Sequence, residues 1–181
     1  MSDIYQLKIT LQDSKPHIWR RVLVDGATNL YQLHEIIQVV MGWTNSHLHQ
    51  FIIHQEYYGE PDPYSSRPIK DDLKFNLSQI TLQEKDQFIY EYDFGDSWRH
   101  QILVEKILSP EPGMHYPICL KGKRACPPED VGGVWGYETF LKAMRDPSHE
   151  EHADYMEWWG KPFDPEAFDL EEINEALRQM A

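Results

Sequence analysis

The sequence predicts an α+β fold: an antiparallel sheet of about five strands, packed with one long helix from the N-terminal half and a C-terminal helical segment. Three observations predict it. Apolar and polar residues alternate in several stretches of residues 1–110, at strand periodicity. Residues 30–41 place their apolar side chains at helical spacing. Residues 134–181 carry helix caps and helical spacing and no strand pattern. Strands early and helices late pack as a sheet covered by helices. The 181 residues read as one domain: 1–110 mainly β with the long helix, 111–133 a turn-rich connector, and 134–181 a helical tail.

Tyr5, Leu7, Ile9 and Leu11 alternate with Gln6, Lys8 and Thr10, a half-buried strand. Asp13-Ser14-Lys15-Pro16 is a turn, and the β-branched and aromatic residues of 17–24 return as its partner strand. Asp25-Gly26 ends that strand. Leu30, Leu33, Ile36, Ile37, Val40 and Met41 then share a helix face. Asn29 is placed to cap this helix with Gln32 reaching back, and Gly42 to stop it. Residues 47–54 form a strand with His47, His49, Phe51 and Ile53 on one side.

Residues 56–86, rich in Pro, Asp, Ser and Lys, read as a long loop with one short element. Residues 87–94 and 98–108 form a hairpin. Setting Phe94 opposite Trp98 brings Phe88, Tyr90, Tyr92 and Phe94 together with Trp98, His100, Ile102 and Val104, across a three-residue loop. Its outer face, with Glu91 and Asp93 near Arg99 and Gln101, reads as solvated. In the tail, Tyr137, Phe140, Leu141 and Met144 mark a helix ended by Asp146-Pro147. Ser148 with Glu151, and Asp169 with Glu172, are placed as capping boxes for two more helices.

Composition excludes several classes. Acids outnumber bases 30 to 17, a net charge of −13. That disfavours binding to nucleic acid or anionic membrane, which calls for surplus Lys and Arg. The excess is uneven: residues 1–55 hold four acids and four bases, whereas residues 149–181 hold ten acids and two bases. No apolar run approaches the roughly 20 residues of a membrane helix. The N-terminus lacks a secretory pattern, and two cysteines make no disulfide framework, so a cytoplasmic protein with reduced thiols is expected.

Five stretches together carry a resemblance: IWRR at 18–21, HLHQF at 47–51, YEYDFGDSWRH at 90–100, CLKGKRACPPEDVGG at 119–133 and WWGKPFDPEAFDL at 158–170. The chain resembles the plasmid pRiA4b ORF-3-like family over nearly its whole length. The resemblance implies a compact α+β fold. Some members bear a resolvase-like mobile-element label, which implies an association with mobile elements and no defined reaction. No Ser nucleophile stands in an Arg-rich setting here, and the net charge opposes a recombinase acting alone on DNA.

Four constellations could carry chemistry. His47, His49, His100 and Asp96 combine imidazoles and a carboxylate, the ligand types of a hydrolytic zinc or non-haem iron site. A divalent metal is thus the cofactor to consider. Cys119 and Cys126 are too widely spaced for a zinc knuckle and read as buried or loop thiols. Residues 127–133, with two prolines and two glycines around Glu129 and Asp130, read as a structural turn into a helix at Val134. Its acids offer a cap or a cation ligand. Arg20, Arg21, Lys121, Lys123 and Arg124 form a basic cluster, the side on which any nucleic acid would dock. The candidate pocket is drawn from the motifs as His49, Tyr92, Asp93, Asp96, Trp98, His100, Glu129 and Asp130.

Catalytic signatures such as G-x-S-x-G, H-E-x-x-H and dinucleotide-binding glycines are missing from the sequence. The first reading is a non-catalytic module that binds a protein or a small ligand. The alternative is a metal-dependent hydrolase or nuclease-like enzyme using His47, His49, His100 and Asp96. Convergence of those four side chains in one open cleft discriminates the two.

Overall fold

The computed structural model describes residues 2–80 and 82–180. Met1, Thr81 of the 56–86 segment and Ala181 of the tail lie outside it. Strands β1 (Ile4–Leu11), β2 (Trp19–Asp25), β3 (His49–Ile53), β4 (Glu56–Gly59), β5 (Ile69–Asp71), β6 (Gln87–Tyr92), β7 (Trp98–Leu108) and β8 (Ile118–Lys123) form one sheet in the order β5-β4-β3-β6-β7-β1-β2-β8. All neighbours are antiparallel except β4 and β5, which run parallel. Helices α1 (Leu30–Met41), α2 (Gly133–Arg145), α3 (His152–Trp159) and α4 (Leu170–Gln179) complete the α+β fold.

The first predicted elements form as expected. Leu7, Ile9 and Leu11 of β1 are buried, as alternation requires. Asn29 accepts from the Gln32 amide, Gln32 Oε1 accepts from the Asn29 amide, and Gly42 closes α1 at φ +114°. Such a cap is worth about 1 kcal/mol. Leu30, Leu33, Ile37 and Val40 bury α1's apolar face against the same core as Phe51, Tyr90, Tyr92 and Trp98.

Among the described residues the sheet has eight strands and is mixed, where about five antiparallel strands were predicted. The three additional strands are short or disguised. β4 follows β3 through His54-Gln55, whose φ values of +50° and +68° suit a two-residue hairpin turn. The 56–86 segment also holds β5 and two 3₁₀ turns, Asp72–Lys74 and Leu77–Ile80. β8 lies inside the predicted turn-rich connector, because Lys121, Gly122 and Lys123 look like loop yet pair with β2. As the outer strand, β8 is covered by α4, and the Asn174 side chain accepts from the Cys119 amide at 2.8 Å and donates to its carbonyl at 2.9 Å. This blunts an edge that would otherwise be open to pairing.

The β6–β7 register also differs. Tyr92 pairs with Trp98 and Tyr90 with His100, so the connection has five residues. Asp93 adopts φ +60°, which ends β6 before Phe94 and leaves Phe94 47% exposed. The two-residue shift preserves facing parity, so Tyr90, Tyr92, Trp98 and His100 are all buried. The outer face is not simply solvated. Glu91 is buried and accepts from Gln50 Nε2 at 2.8 Å and from Ser97 Oγ at 2.5 Å.

In the tail, Asp169 caps α4 by accepting from the Glu172 amide. Ser148 does not cap α3, which begins at His152 after Glu151. Its amide and hydroxyl both donate to Asp146 instead. Phe140 of α2 packs edge-on against Tyr155, Trp158 and Trp159 of α3 and against Phe163, an aromatic cluster. No helix of the described residues is long and apolar enough to cross a membrane.

Candidate functional site

The residues of interest gather where β3 begins and the β6–β7 hairpin ends, beside the 43–48 connection after α1. The 129–133 turn reaches this place because Trp43 Nε1 donates to the Pro127 carbonyl at 3.0 Å and Asp96 Oδ2 accepts from the Gly132 amide at 3.0 Å. Gly133 touches the hairpin directly: a Cβ there would lie 2.5 Å from the Asp96 carbonyl oxygen.

The first half of the site is a histidine network. His34, fully buried on α1, stacks on His49 with ring centroids 3.6 Å apart. His49 Nε2 donates to Asp72 Oδ2 at 2.6 Å, and both side chains are nearly inaccessible. Burial, then the electrostatic effect of the neighbouring His49 ring, holds the His34 imidazole down at about 4. As a neutral ring, His34 donates through Nε2 to Asn45 Oδ1 at 2.8 Å and accepts at Nδ1 from the Tyr90 hydroxyl at 2.6 Å. Gln38 Nε2 completes the chain by donating to that hydroxyl. A cleft of ≈ 430 Å³ opens onto this network between Tyr31, Leu48, Glu60, Pro61, Asp71 and Leu73. A second of ≈ 280 Å³ shares Leu48, His49, Glu60 and Pro61 with it and reaches Asp62, Ile69 and Phe94.

The second half is a carboxylate corner. His47 Nε2 lies 2.9 Å from Asp130 Oδ1, 3.6 Å from Asp93 Oδ2 and 3.8 Å from Glu129 Oε2. Glu129 Oε1 accepts from the Thr44 amide at 3.0 Å and from the Tyr92 hydroxyl at 2.9 Å. Burial raises the Tyr92 phenol above its ordinary value, and the bonded, negatively charged Glu129 adds to the shift, so Tyr92 is a donor here. Neither acid of the 129–133 turn caps α2, which starts after Gly132 without a side-chain cap.

The candidate pocket residues thus separate. His49, Asp93, Glu129 and Asp130 border the two halves, and Tyr92 links Ser46 to Glu129 from beneath. Trp98 is wholly buried. His100 is also wholly buried, donates through Nδ1 to the Tyr90 carbonyl at 3.2 Å, and is held at about 4 by burial. Asp96 serves the Gly132 amide. The quartet His47, His49, His100 and Asp96 does not assemble. Among the described residues, the group of His, Cys, Asp and Glu whose ligand atoms lie within 4.8 Å of one another is His47, Asp93 and Asp130.

The basic cluster is largely consumed by the fold. Arg20 is buried, giving four hydrogen bonds to the carbonyls of Trp19, Val40, Lys123 and Arg124. Arg21 pairs with Glu105 at 2.7 Å and Arg124 with Glu166 at 2.9 Å. Lys121 and Lys123 alone remain exposed. Cys119 and Cys126 are free thiols, and burial pushes both above the ordinary thiol value.

Sequence reasoning missed His34, Asp72 and Thr44. His34 did leave a signal, a titratable residue on the apolar stripe of α1 between Leu33 and Ile37. Asp72 left none, since Asp71-Asp72 reads as loop acid.

Fold and site define an α+β protein with a histidine- and carboxylate-lined cleft at one end of a mostly antiparallel sheet. The family model described as plasmid pRiA4b ORF-3-like protein matches residues 3–172, and the chain belongs to that family. It is similar to the uncharacterized protein y4hQ of Sinorhizobium fredii (strain NBRC 101917 / NGR234), with 39% identity over 183 residues, covering 100% of this chain and 94% of that one. Among solved structures it is similar to a protein of unknown function, MM3350, from Methanosarcina mazei Go1. That match has a TM-score of 0.86 and 39% identity, covering 95% of this chain and 98% of that one.

Proposed function

We propose that the chain is a non-catalytic binding module whose cleft takes a basic, partly apolar segment of a partner protein. The observation that carries this reading is the cleft mouth itself. Leu48 and Leu73 stand there 58% and 60% exposed, beside Glu60, Asp62 and Asp71. Exposed apolar side chains rimmed by carboxylates suit a segment that brings both apolar surface and positive charge. The stacked imidazoles form a rigid floor, since both His34 ring nitrogens and His49 Nε2 are already hydrogen-bonded. The hydrolase reading required His47, His49, His100 and Asp96 to meet in one cleft, and His100 instead lies in the core.

Calorimetric titration of the full chain with two peptides of equal length and apolar content, one rich in Lys and Arg and one in Glu, tests the proposal. The basic peptide should bind, and Glu60→Lys and Leu48→Ser should each weaken it about tenfold, roughly 1.4 kcal/mol. Equal binding of both peptides, or indifference to both substitutions, would overturn it.

A further inference from the structure

The carboxylate corner is unbalanced. Among the described residues, His47 is the one side chain of basic type within 4.0 Å of Asp93, Glu129 or Asp130. His47 Nε2 and Glu129 Oε2 are both buried from solvent and both lack a hydrogen-bond partner. The Asp130 oxygen, although 2.9 Å away, lies too far off the ring nitrogen's in-plane axis to make a hydrogen bond. Two buried polar atoms of opposite character face each other unsatisfied, in a setting where such atoms cost free energy.

We propose that His47, Asp93 and Asp130, with Glu129 beside them, hold a divalent first-row transition-metal ion of the Zn²⁺ or Mn²⁺ type. The spacing suits it. Ligand atoms bound at about 2.1 Å are separated by about 3.0 Å along an octahedral edge and about 3.4 Å along a tetrahedral one. The His47, Asp93 and Asp130 ligand atoms all lie within 4.8 Å of one another, with His47 Nε2 at 2.9 and 3.6 Å from the two aspartate oxygens, so small side-chain rotations close that three-residue shell.

The oxygens facing His47 are also aimed. Glu129 Oε1 is held by the Thr44 amide and the Tyr92 hydroxyl, which turns Oε2 toward the ring. Asp93 Oδ1 accepts from the Gly95 amide at 3.1 Å, which leaves Oδ2 on the His47 side. Outer partners that orient ligands in this way are the usual support of a metal centre. A solvent-open recess of ≈ 490 Å³ between Asn45, Ser46, Leu48 and Phe94 gives an ion and its waters a route to His47 and Asp93. The imidazole selects against Mg²⁺ and Ca²⁺, which favour all-oxygen shells. The site lies beside the peptide cleft and does not depend on it.

The test uses the full chain without a histidine tag, stripped by chelator and titrated with MnCl₂, the free ion being read by electron paramagnetic resonance, and with ZnCl₂ by calorimetry. One equivalent should bind, unopposed by equal concentrations of Mg²⁺ or Ca²⁺. His47→Gln and Asp130→Asn should each weaken binding tenfold or more. Asp130 is largely exposed, so its variant should keep the metal-free melting temperature and separate lost binding from lost folding. No stoichiometric binding of either ion would overturn the assignment. So would binding unchanged in both variants, or equal competition by Ca²⁺.

Discussion

The rings of His34 and His49 lie face to face, centroids 3.6 Å apart and planes within 7° of parallel. The ring nitrogens of this pair meet committed groups at their edges: Tyr90 and Asn45 at His34, Asp72 at His49. Burial in this packing disfavours a positive charge on His34, and that sets how the fold answers to acid.

Stability should fall as pH drops from about 6.5 to about 4. His34 and His100 are each held at about 4 in the folded chain, against 6.5 for a free imidazole. Above 6.5 both are neutral in either state, and no difference arises. Between 6.5 and 4 the unfolded chain takes up the protons and the folded chain does not, so unfolding is favoured. Each histidine accounts for at most about 3 kcal/mol by the end of that window. Urea unfolding midpoints measured across it give the slope. His100→Gln and His34→Gln should each remove about one proton from it, and a slope unchanged in both would count against the assignment.

Asp72 should matter to stability more than a loop acid does. It is 2% exposed and its carboxylate accepts from His49 at 2.6 Å. A bond to a charged group contributes about 1.5–3 kcal/mol. Asp72→Ala should therefore cost about 3 kcal/mol in chemical unfolding, and Asp72→Asn, which keeps an acceptor, distinctly less. Equal losses in the two would show that shape rather than the hydrogen bond decides.

Arg20 gives the clearest lesson about what a sequence discloses. In IWRR it looks like one half of a surface basic pair, and its neighbour Arg21 does reach the surface acid Glu105. Strand parity puts Arg20 on the other face, and parity was readable once β2 was placed. What was not readable is that four carbonyls from three separated segments converge on it. The same holds at the site. The motifs around 47, 93 and 130 were visible, as was the helix carrying His34. Their meeting depends on a five-residue hairpin connection and on the Trp43–Pro127 contact, neither of which leaves a local pattern. The α1 caps and the β1 alternation were legible because they are decided within four residues of themselves.

Arg20→Lys should accordingly be far from conservative. The guanidinium reaches Val40 at 2.6 Å, Trp19 at 2.8 Å, Arg124 at 2.9 Å and Lys123 at 3.1 Å, and stacks 4.7 Å from the Phe168 ring centre. An ammonium has three donors at one point and cannot reproduce that fork. Losing even two of these charged bonds costs about 3 kcal/mol or more. Thermal melting should drop well below the wild type for Arg20→Lys, whereas Lys123→Ala, at an exposed side chain on β8, should leave it nearly unchanged.

At Gly136, helix propensity and packing oppose each other. This residue lies inside α2, where Ala is favoured over Gly by about 1 kcal/mol. A Cβ there would sit 2.1 Å from the Val131 carbonyl oxygen and 2.9 Å from its carbon. Backbone atoms cannot swing aside as a flexible side chain does, so the 129–131 turn would have to move. Overpacking of this kind costs about 1–3 kcal/mol, and it should outweigh the propensity gain. Gly136→Ala is expected to lower the urea midpoint. It should also disturb the contact between Glu129 and the Tyr92 hydroxyl, read from the Tyr92 ring resonances by nuclear magnetic resonance. Glu138→Ala, an exposed change two residues along the same helix, removes only a surface pair with Lys142 and no packing, and should leave the midpoint nearly unchanged. A stabilised Gly136→Ala would mean that the turn and the helix do not approach as closely as they do here.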